Sequence, residues 1–111
     1  MYKHFKESEV IGLQVELVLM LDQAREKAGI PFIITSGLRT PEHNKEIGGV
    51  ENSAHLTGKA VDIHCETSEQ RFKILGALIE AGFKRIGIGS DFIHADIDAE
   101  KPWRVIFLEN R

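Results

Sequence analysis

Two short segments in which apolar and ionisable residues alternate constrain the fold of this chain most strongly. Residues 60–64 read Ala-Val-Asp-Ile-His, and residues 92–97 read Phe-Ile-His-Ala-Asp-Ile. Successive side chains of a strand point to opposite faces, so each segment has one apolar face and one ionisable face. If the two strands are neighbours, one face of the sheet carries four ionisable side chains: Asp62, His64, His94 and Asp96. Such a cluster needs partners or a cation, because burying unpaired charges is costly.

The rest of the pattern predicts an α+β domain. Apolar residues recur at three- and four-residue steps over residues 8–28, which predicts a helix with Ser8 as its N-cap. Thr40 before Pro41 predicts a short helix, and a capping box over residues 67–70 predicts another, with an apolar stripe formed by Phe72, Leu75, Gly76 and Ile79. Further strands are expected near residues 32–35, 84–88 and 103–107, with Trp103 in the core. We therefore predict residues 1–111 to form a single domain with helices on one face of a small, mostly antiparallel sheet.

Composition excludes several classes of protein. A net charge of −3 argues against a nucleic-acid partner, and no apolar run approaches the roughly 20 residues of a membrane span. The polar N-terminus lacks the apolar segment of a signal peptide, so we expect synthesis in the cytoplasm. Cys65 is the only cysteine, which excludes an intrachain disulfide and any zinc site built from several thiolates. A metal site would have to use histidine and carboxylate ligands.

Three residues have the chemistry of a catalytic zinc site. Such a site takes three protein ligands from His, Asp or Glu and leaves one position open. Asp62 and His94 can converge from neighbouring strands, and His55 can join them if the loop reverses at Gly58. Glycine suits that reversal because it adopts a positive φ without strain. Hydrogen-bonded polar residues without a metal are the alternative reading of the same cluster.

These residues carry a family resemblance. Residues 53–62, Ser-Ala-His-Leu-Thr-Gly-Lys-Ala-Val-Asp, resemble the S-x-H-x-x-G-x-A-x-D motif of the M15 zinc peptidases. Residues 91–94, Asp-Phe-Ile-His, resemble the second motif of that family, and residues 36–40 resemble its S-G-x-R stretch. The similarity runs from about Phe5 to Phe107. The family comprises D-Ala-D-Ala carboxypeptidases and phage L-alanyl-D-glutamate endolysins, and its fold is shared with the signalling domain of hedgehog proteins.

The resemblance implies a role for each matching residue. One zinc ion per chain would be held by His55, Asp62 and His94, and Asp91 would be the general base that takes a proton from the zinc-activated water. Arg39 would polarise the scissile carbonyl or bind substrate, and Ser53 would contact the substrate. Because residues three apart on a regular strand face opposite ways, Asp91 must lie outside the strand, in the turn formed by residues 87–90.

The predicted function is hydrolysis of peptidoglycan stem peptides by a monomer that acts on the cell wall after phage-type release or another export route. Either the D-Ala-D-Ala or the L-Ala-D-Glu bond fits. Two alternatives stay open: a catalytically inactive metal-binding recognition module of the same fold, and a fold without metal whose polar face binds a partner. His64 and Asp96 could orient a ligand or be ordinary polar residues.

Overall fold

The chain is described by a computed structural model that covers residues 2–109. In chain order its main elements are α1 (Val15–Ala28), β1 (Ile34–Ser36), α2 (Pro41–Glu46), β2 (Ala60–His64), α3 (Ser68–Glu80), β3 (Arg85–Ile88), β4 (Phe92–Asp96) and β5 (Val105–Leu108). Two short 3₁₀ helices cover Glu7–Glu9 and Ala54–Thr57. This is the α+β architecture that the sequence predicts.

The five strands form one sheet in the order β1-β2-β4-β3-β5. Every pairing is antiparallel except that of β3 with the edge strand β5, which is parallel. The two alternating segments are direct neighbours, and their register places Asp62 opposite His94 and Ala60 opposite Asp96. The prediction that the two strands are neighbours, with Asp62 and His94 on the same face, is therefore confirmed.

The apolar face of the sheet is covered by α1 and α3, which pack against each other. Alternation places Val61, Ile63, Ile93 and Ala95 in this core, where each is fully shielded from solvent. The Cys65 thiol is buried with them, as a small apolar side chain would be, and burial raises its pKa. The helices thus occupy one face of the sheet and leave the opposite face for polar side chains.

Local signals fix most element ends. The Thr40 hydroxyl accepts a hydrogen bond from the His43 N–H at 3.1 Å, and the capping box at the start of α3 forms as predicted. The predicted start of α1 at Ser8 is wrong. Gly12 adopts a φ of +79°, which interrupts the chain between the first 3₁₀ helix and α1, and Gln14 is the N-cap.

Two core predictions are also wrong. The buried stripe of α3 consists of Ile74, Ala77 and Leu78. Of the predicted stripe, Leu75 packs against the core, whereas Phe72 is 81% exposed and Ile79 is also exposed. Both sets of residues have helical spacing, so the sequence pattern alone does not choose between them. Trp103 is 54% exposed because it lies in the connection ahead of β5, with the Arg104 guanidinium over its ring. Among residues 2–109, no helix has the length and apolarity needed to cross a bilayer.

Candidate metal centre

Three side chains converge on the polar face of the sheet. His55 Nε2 lies 3.2 Å from Asp62 Oδ1, and His94 Nδ1 lies 3.0 Å from the same oxygen. One ligand atom from each residue falls within 4.8 Å of the others, and all three residues are buried. The imidazole rings meet edge to face, with centroids 5.2 Å apart. This is the group that the sequence predicts to bind a metal.

The loop before β2 brings His55 to the strands. The Ser53 hydroxyl caps the 3₁₀ helix by accepting a hydrogen bond from the His55 N–H. Gly58 then ends that helix with a φ of +71°, and a Cβ at this position would approach the Gly12 carbonyl oxygen to 2.3 Å. The predicted reversal at Gly58 is therefore present, and it depends on glycine for both conformation and space.

Each histidine has an acceptor on the nitrogen that faces away from Asp62. His55 Nδ1 lies 2.8 Å from the Gly37 carbonyl oxygen, and His94 Nε2 lies 2.7 Å from Asp96 Oδ2. A carbonyl and a carboxylate only accept hydrogen bonds, so both outward nitrogens carry protons. These partners fix ring orientation and tautomer in the way that supports metal-binding histidines elsewhere.

The protonation of the two imidazoles explains why a cation fits between His55 Nε2, His94 Nδ1 and Asp62 Oδ1. With protons on the outward nitrogens, neutral His55 and His94 direct two lone pairs at a carboxylate oxygen of Asp62, so three acceptors face one another. Without a cation, the arrangement requires buried imidazolium ions, which are costly to desolvate. A divalent metal satisfies all three acceptors at once. The residues present therefore fit a metal of the zinc type.

Arg39 holds the other oxygen of the Asp62 carboxylate. Its Nη2 donates to Asp62 Oδ2 at 3.2 Å, its Nη1 donates to Asn44, and its Nε donates to Ser36. The Arg39 side chain is 2% exposed, so this is a buried ion pair with further hydrogen bonds. Arg39 therefore positions a predicted metal ligand, which sequence reasoning did not anticipate when it assigned Arg39 to substrate.

The pKa values of Asp62, His94 and Asp96 are shifted by the contacts that these side chains make with their neighbours. Burial alone would raise the pKa of the Asp62 carboxyl, but hydrogen bonds and charge from His55 and His94 hold that pKa well below its usual range. Burial alone would lower the pKa of His94, but its contacts with Asp62 and Asp96 raise it above 6.5. Asp96 has a lowered pKa because its bonds to His94 and to the Asp98 N–H outweigh the effect of burial. The carboxylates are thus ionised at neutral pH and available to a cation.

A cavity of about 550 Å³ opens over this group. Both imidazoles line it, and so does Ser53, the residue predicted to contact substrate. Its cationic lining residues are Arg39, Arg85 and Lys101. Arg85 is held by Asp96 at 2.9 Å, and Lys101 bridges Asp98 and the Asn52 carbonyl oxygen. Each of these cations is paired with a carboxylate of the protein, Arg39 with Asp62, Arg85 with Asp96 and Lys101 with Asp98, so the cavity wall carries charges of both signs.

The structure does not bring the predicted general base, Asp91, into this cavity. Asp91 is exposed in the turn between β3 and β4, and its carbonyl oxygen accepts a hydrogen bond from the Cys65 N–H. Asp91 is not among the residues that line the cavity. His64 is also outside the group, because its imidazole pairs with Glu66 at 3.0 Å.

Sequence reasoning missed one acidic residue, Glu109. Its Oε1 lies 3.8 Å from His94 Nδ1, and it lines the cavity. Val105, Phe107 and Glu109 are the half-buried positions of an alternating segment. That period of two is the signal that could have placed Glu109 on the same side as Phe107, whose ring centroid is 5.6 Å from that of His94.

Comparison with known proteins identifies relatives by sequence profile and by fold. The profile of the family described as Peptidase M15 matches residues 3–96, a segment that contains His55, Asp62 and His94 and ends before Glu109. The crystal structure of the L-Ala D-Glu endopeptidase ChiX of Serratia marcescens is similar, with a TM-score of 0.70 and 21% identity. The alignment covers 90% of this chain and 92% of that one. No curated protein matches the chain by sequence.

Proposed function

Because this chain belongs to the M15 peptidase family, we propose that it is a zinc-dependent hydrolase of the stem peptides of bacterial peptidoglycan. The observation that carries the proposal is the convergence of His55, Asp62 and His94 beside a cavity that both imidazoles line. The fold neighbour is an L-Ala D-Glu endopeptidase, which supports a cell-wall substrate. The L-Ala–D-Glu bond and the terminal D-Ala–D-Ala bond are the two candidate cleavage sites.

The residues at the site have different proposed roles in hydrolysis. His55 Nε2, Asp62 Oδ1 and His94 Nδ1 would hold the zinc, which supplies Lewis-acid polarisation of water and of the scissile carbonyl. Gly37 and Asp96 keep the two imidazoles in the tautomers that leave their inward nitrogens unprotonated.

Substrate recognition is assigned to the rim of the cavity. Stem peptides carry carboxylates on D-Glu and at the terminal D-Ala, and we assign their binding to Arg39, Arg85 and Lys101, the cationic side chains of the cavity wall. Ser53 is proposed to donate its hydroxyl proton to the substrate, because its oxygen already accepts from the His55 N–H. On sequence grounds Asp91 stays a proposed general base, although its exposed position lends that role no geometric support.

The exposed position of Asp91 favours one alternative, a metal-binding module of the same fold without catalysis. Hydrolysis of a muropeptide separates the two functions. The full-length chain is incubated with muropeptides that carry pentapeptide stems, with zinc and with a chelator, and the products are identified by mass spectrometry. We expect cleavage with zinc, none with the chelator, and recovery when zinc is restored. Zinc-loaded protein that cleaves no stem-peptide bond would leave the recognition module as the better account.

A further inference from the structure

We propose that Arg85 binds the carboxylate of the substrate residue that follows the scissile bond, and that this contact selects stems in which that carboxylate is free. The inference rests on the proposed function and gives one of its three cations a specific partner. Arg85 lines the cavity together with both imidazoles, and its side chain is 13% exposed. The guanidinium is therefore fixed in the wall and still accessible to a ligand.

Both candidate cleavage sites place a carboxylate at the same position of the substrate. After the D-Ala–D-Ala bond comes the last residue of the stem, whose α-carboxylate is free. After the L-Ala–D-Glu bond comes D-Glu, which continues the stem through its side-chain carboxyl group and also leaves its α-carboxylate free. Only the amide nitrogen and an α-carbon separate this carboxylate from the scissile carbonyl. A stem that is cleaved at the predicted metal position thus brings a carboxylate close to the metal ligands, where it needs a donor.

The Arg85 guanidinium is held on two sides and keeps donors for such a partner. Its Nε donates to Asp96 Oδ1 at 2.9 Å, and its Nη1 donates to the Pro102 carbonyl oxygen. Arginine has five N–H donors, and among residues 2–109 its Nη2 meets no hydrogen-bond acceptor. N–H groups on both terminal nitrogens therefore remain for a carboxylate, which a guanidinium binds through two parallel hydrogen bonds.

The other two cations of the wall have less to offer a substrate carboxylate. Every nitrogen of the Arg39 guanidinium donates to a protein oxygen, and the side chain is shielded from the cavity by its burial. Lys101 Nζ contacts Asp98 at 3.2 Å and the Asn52 carbonyl oxygen at 2.6 Å, so this ammonium group has at most one N–H left. Because the wall carries charges of both signs, recognition depends on directed donors rather than on net charge.

The strands place the Arg85 guanidinium beside the metal centre. Asp96 accepts from Arg85 through Oδ1 and contacts His94 Nε2 through Oδ2. The Phe107 ring lies near both, with its centroid 5.1 Å from Arg85 Cζ and 5.6 Å from the centroid of His94. A Cβ at Gly87 would approach that ring to 2.7 Å, so the gap at Gly87 admits it. One carboxylate therefore links Arg85 to a predicted metal ligand.

Amidated stems test the carboxylate contact on the wild-type protein. Three synthetic stems of sequence L-Ala-D-Glu-L-Lys-D-Ala-D-Ala are compared with the zinc-loaded protein: one with both carboxylates free, one amidated at the D-Glu α-carboxylate and one amidated at the terminal D-Ala. Mass spectrometry identifies the bond that is cleaved. Amidation of the carboxylate next to that bond should lower kcat/KM by about 10–100-fold, the range for a hydrogen bond to a charged group. Amidation of the other carboxylate is the internal control and should change kcat/KM little.

Arg85→Gln tests whether Arg85 makes the contact. In this variant the free stem and the stem amidated next to the cleaved bond should have kcat/KM values within about threefold of each other. If Arg85 only held Asp96 in place, the substitution would lower both values alike and keep their ratio. Arg85→Lys keeps the charge without the paired donors, so it should retain part of the preference. Lys84→Gln, an exposed neighbour in the chain, is the control and should keep the wild-type ratio.

Binding gives a readout that does not depend on turnover. The cleavage product with the freed amine also carries the carboxylate, and its affinity is measured by calorimetry. On the wild type, this product should bind about 10–100-fold more tightly than its carboxamide. On Arg85→Gln, the product and its carboxamide should bind alike.

The outcomes separate this inference from the function on which it rests. If the wild type cleaves all three stems equally well, the Arg85 assignment fails and the proposed hydrolase stands. A full preference for the free carboxylate in Arg85→Gln would also overturn the assignment, because another group would then hold the carboxylate. If the wild type cleaves none of the stems, the proposed function fails and this inference falls with it.

Discussion

Asp96 Oδ2 lies 2.7 Å from Nε2 of His94, on the side of the imidazole that faces away from Asp62. The two residues are two positions apart on β4, so both side chains project from the same face of the sheet. The contact assigns the ring proton to Nε2 and directs the lone pair of Nδ1 toward the predicted metal. The sequence placed Asp96 on this face but did not decide whether it had a role.

Removing the charge of Asp96 should weaken metal binding without abolishing it. Carboxylate partners of ligand histidines typically contribute about 10–100-fold in metal affinity, and we expect Asp96→Asn to lose zinc affinity in that range. Competition with a chromophoric chelator measures the change. Glu100→Gln, an exposed acid in the connection after β4, is the control and should bind zinc like the wild type. An unaltered affinity in Asp96→Asn would show that the contact does not tune the site.

Arg39 should contribute to the stability of the fold as well as to the position of Asp62. Breaking a buried ion pair by removing one partner costs about 3–5 kcal/mol, and Arg39→Ala removes the partner of Asp62 Oδ2 in the core of the site. Urea denaturation of the metal-free protein measures the loss. The exposed Lys73→Ala on α3 should change the free energy of unfolding by less than about 0.5 kcal/mol. If Arg39→Ala also changed the free energy of unfolding by less than about 0.5 kcal/mol, the Arg39–Asp62 pair would not stabilise the fold.

Two glycine-to-alanine changes should act in opposite directions. Gly58→Ala places a methyl group against the Gly12 carbonyl oxygen at a positive φ, so it should destabilise the protein by more than about 1 kcal/mol and displace His55. Gly76 lies within α3 with open space around its Cβ position, so Gly76→Ala should stabilise by about 0.5–1 kcal/mol. Thermal unfolding measures both. Equal shifts of the same sign would contradict the reversal at Gly58.

The metal-free protein should lose stability at both ends of the pH range. Asp96 has a pKa lowered from 3.8, so its stabilising contribution is present above that value and is lost as the pH falls through the lower folded value. His94 has a pKa raised from 6.5, so its contribution is present below 6.5 and is lost as the pH rises through the higher folded value. We expect the urea midpoint to be greatest between about pH 4 and pH 6.5 and to fall toward pH 9.

Saturating zinc should reverse the alkaline part of that profile, because metal binding requires neutral imidazoles. Urea titrations at a series of pH values, with zinc and with a chelator, provide the comparison. A metal-free protein whose stability rises steadily from about pH 5 to pH 9 would contradict the coupling of His94 with Asp62 and Asp96.

Alternation was sufficient to predict that Asp62 and His94 lie together on one face of the sheet. A period of two in β2 and β4 determines which side chains share a face, and one-residue slips are excluded because Val61, Ile63 and Ile93 must reach the core. Once those strands pair, Asp62 and His94 have to meet. His55 required one further element, a reversal at a glycine, which the sequence also contained.

The sequence could not settle features that depend on tertiary contacts. In α3, two stripes with helical spacing compete, and packing against α1 selects the one that contains Ile74 and Leu78 rather than Phe72. The approach of Glu109 to His94 depends on three strands and on the gap at Gly87, none of which a local pattern reveals. Motif position assigned the base to Asp91, whereas the path of the β3–β4 turn leaves that residue facing solvent.

Zinc stoichiometry of the ligand variants tests the central claim most directly. Native mass spectrometry of the full-length chain with added zinc should detect one ion per wild-type chain. His55→Ala and His94→Ala should fold but retain no zinc at concentrations that saturate the wild type. The neighbouring His64→Ala should bind one ion like the wild type. Full zinc occupancy in His55→Ala or His94→Ala, or no zinc in the wild type, would contradict a metal centre formed by these residues.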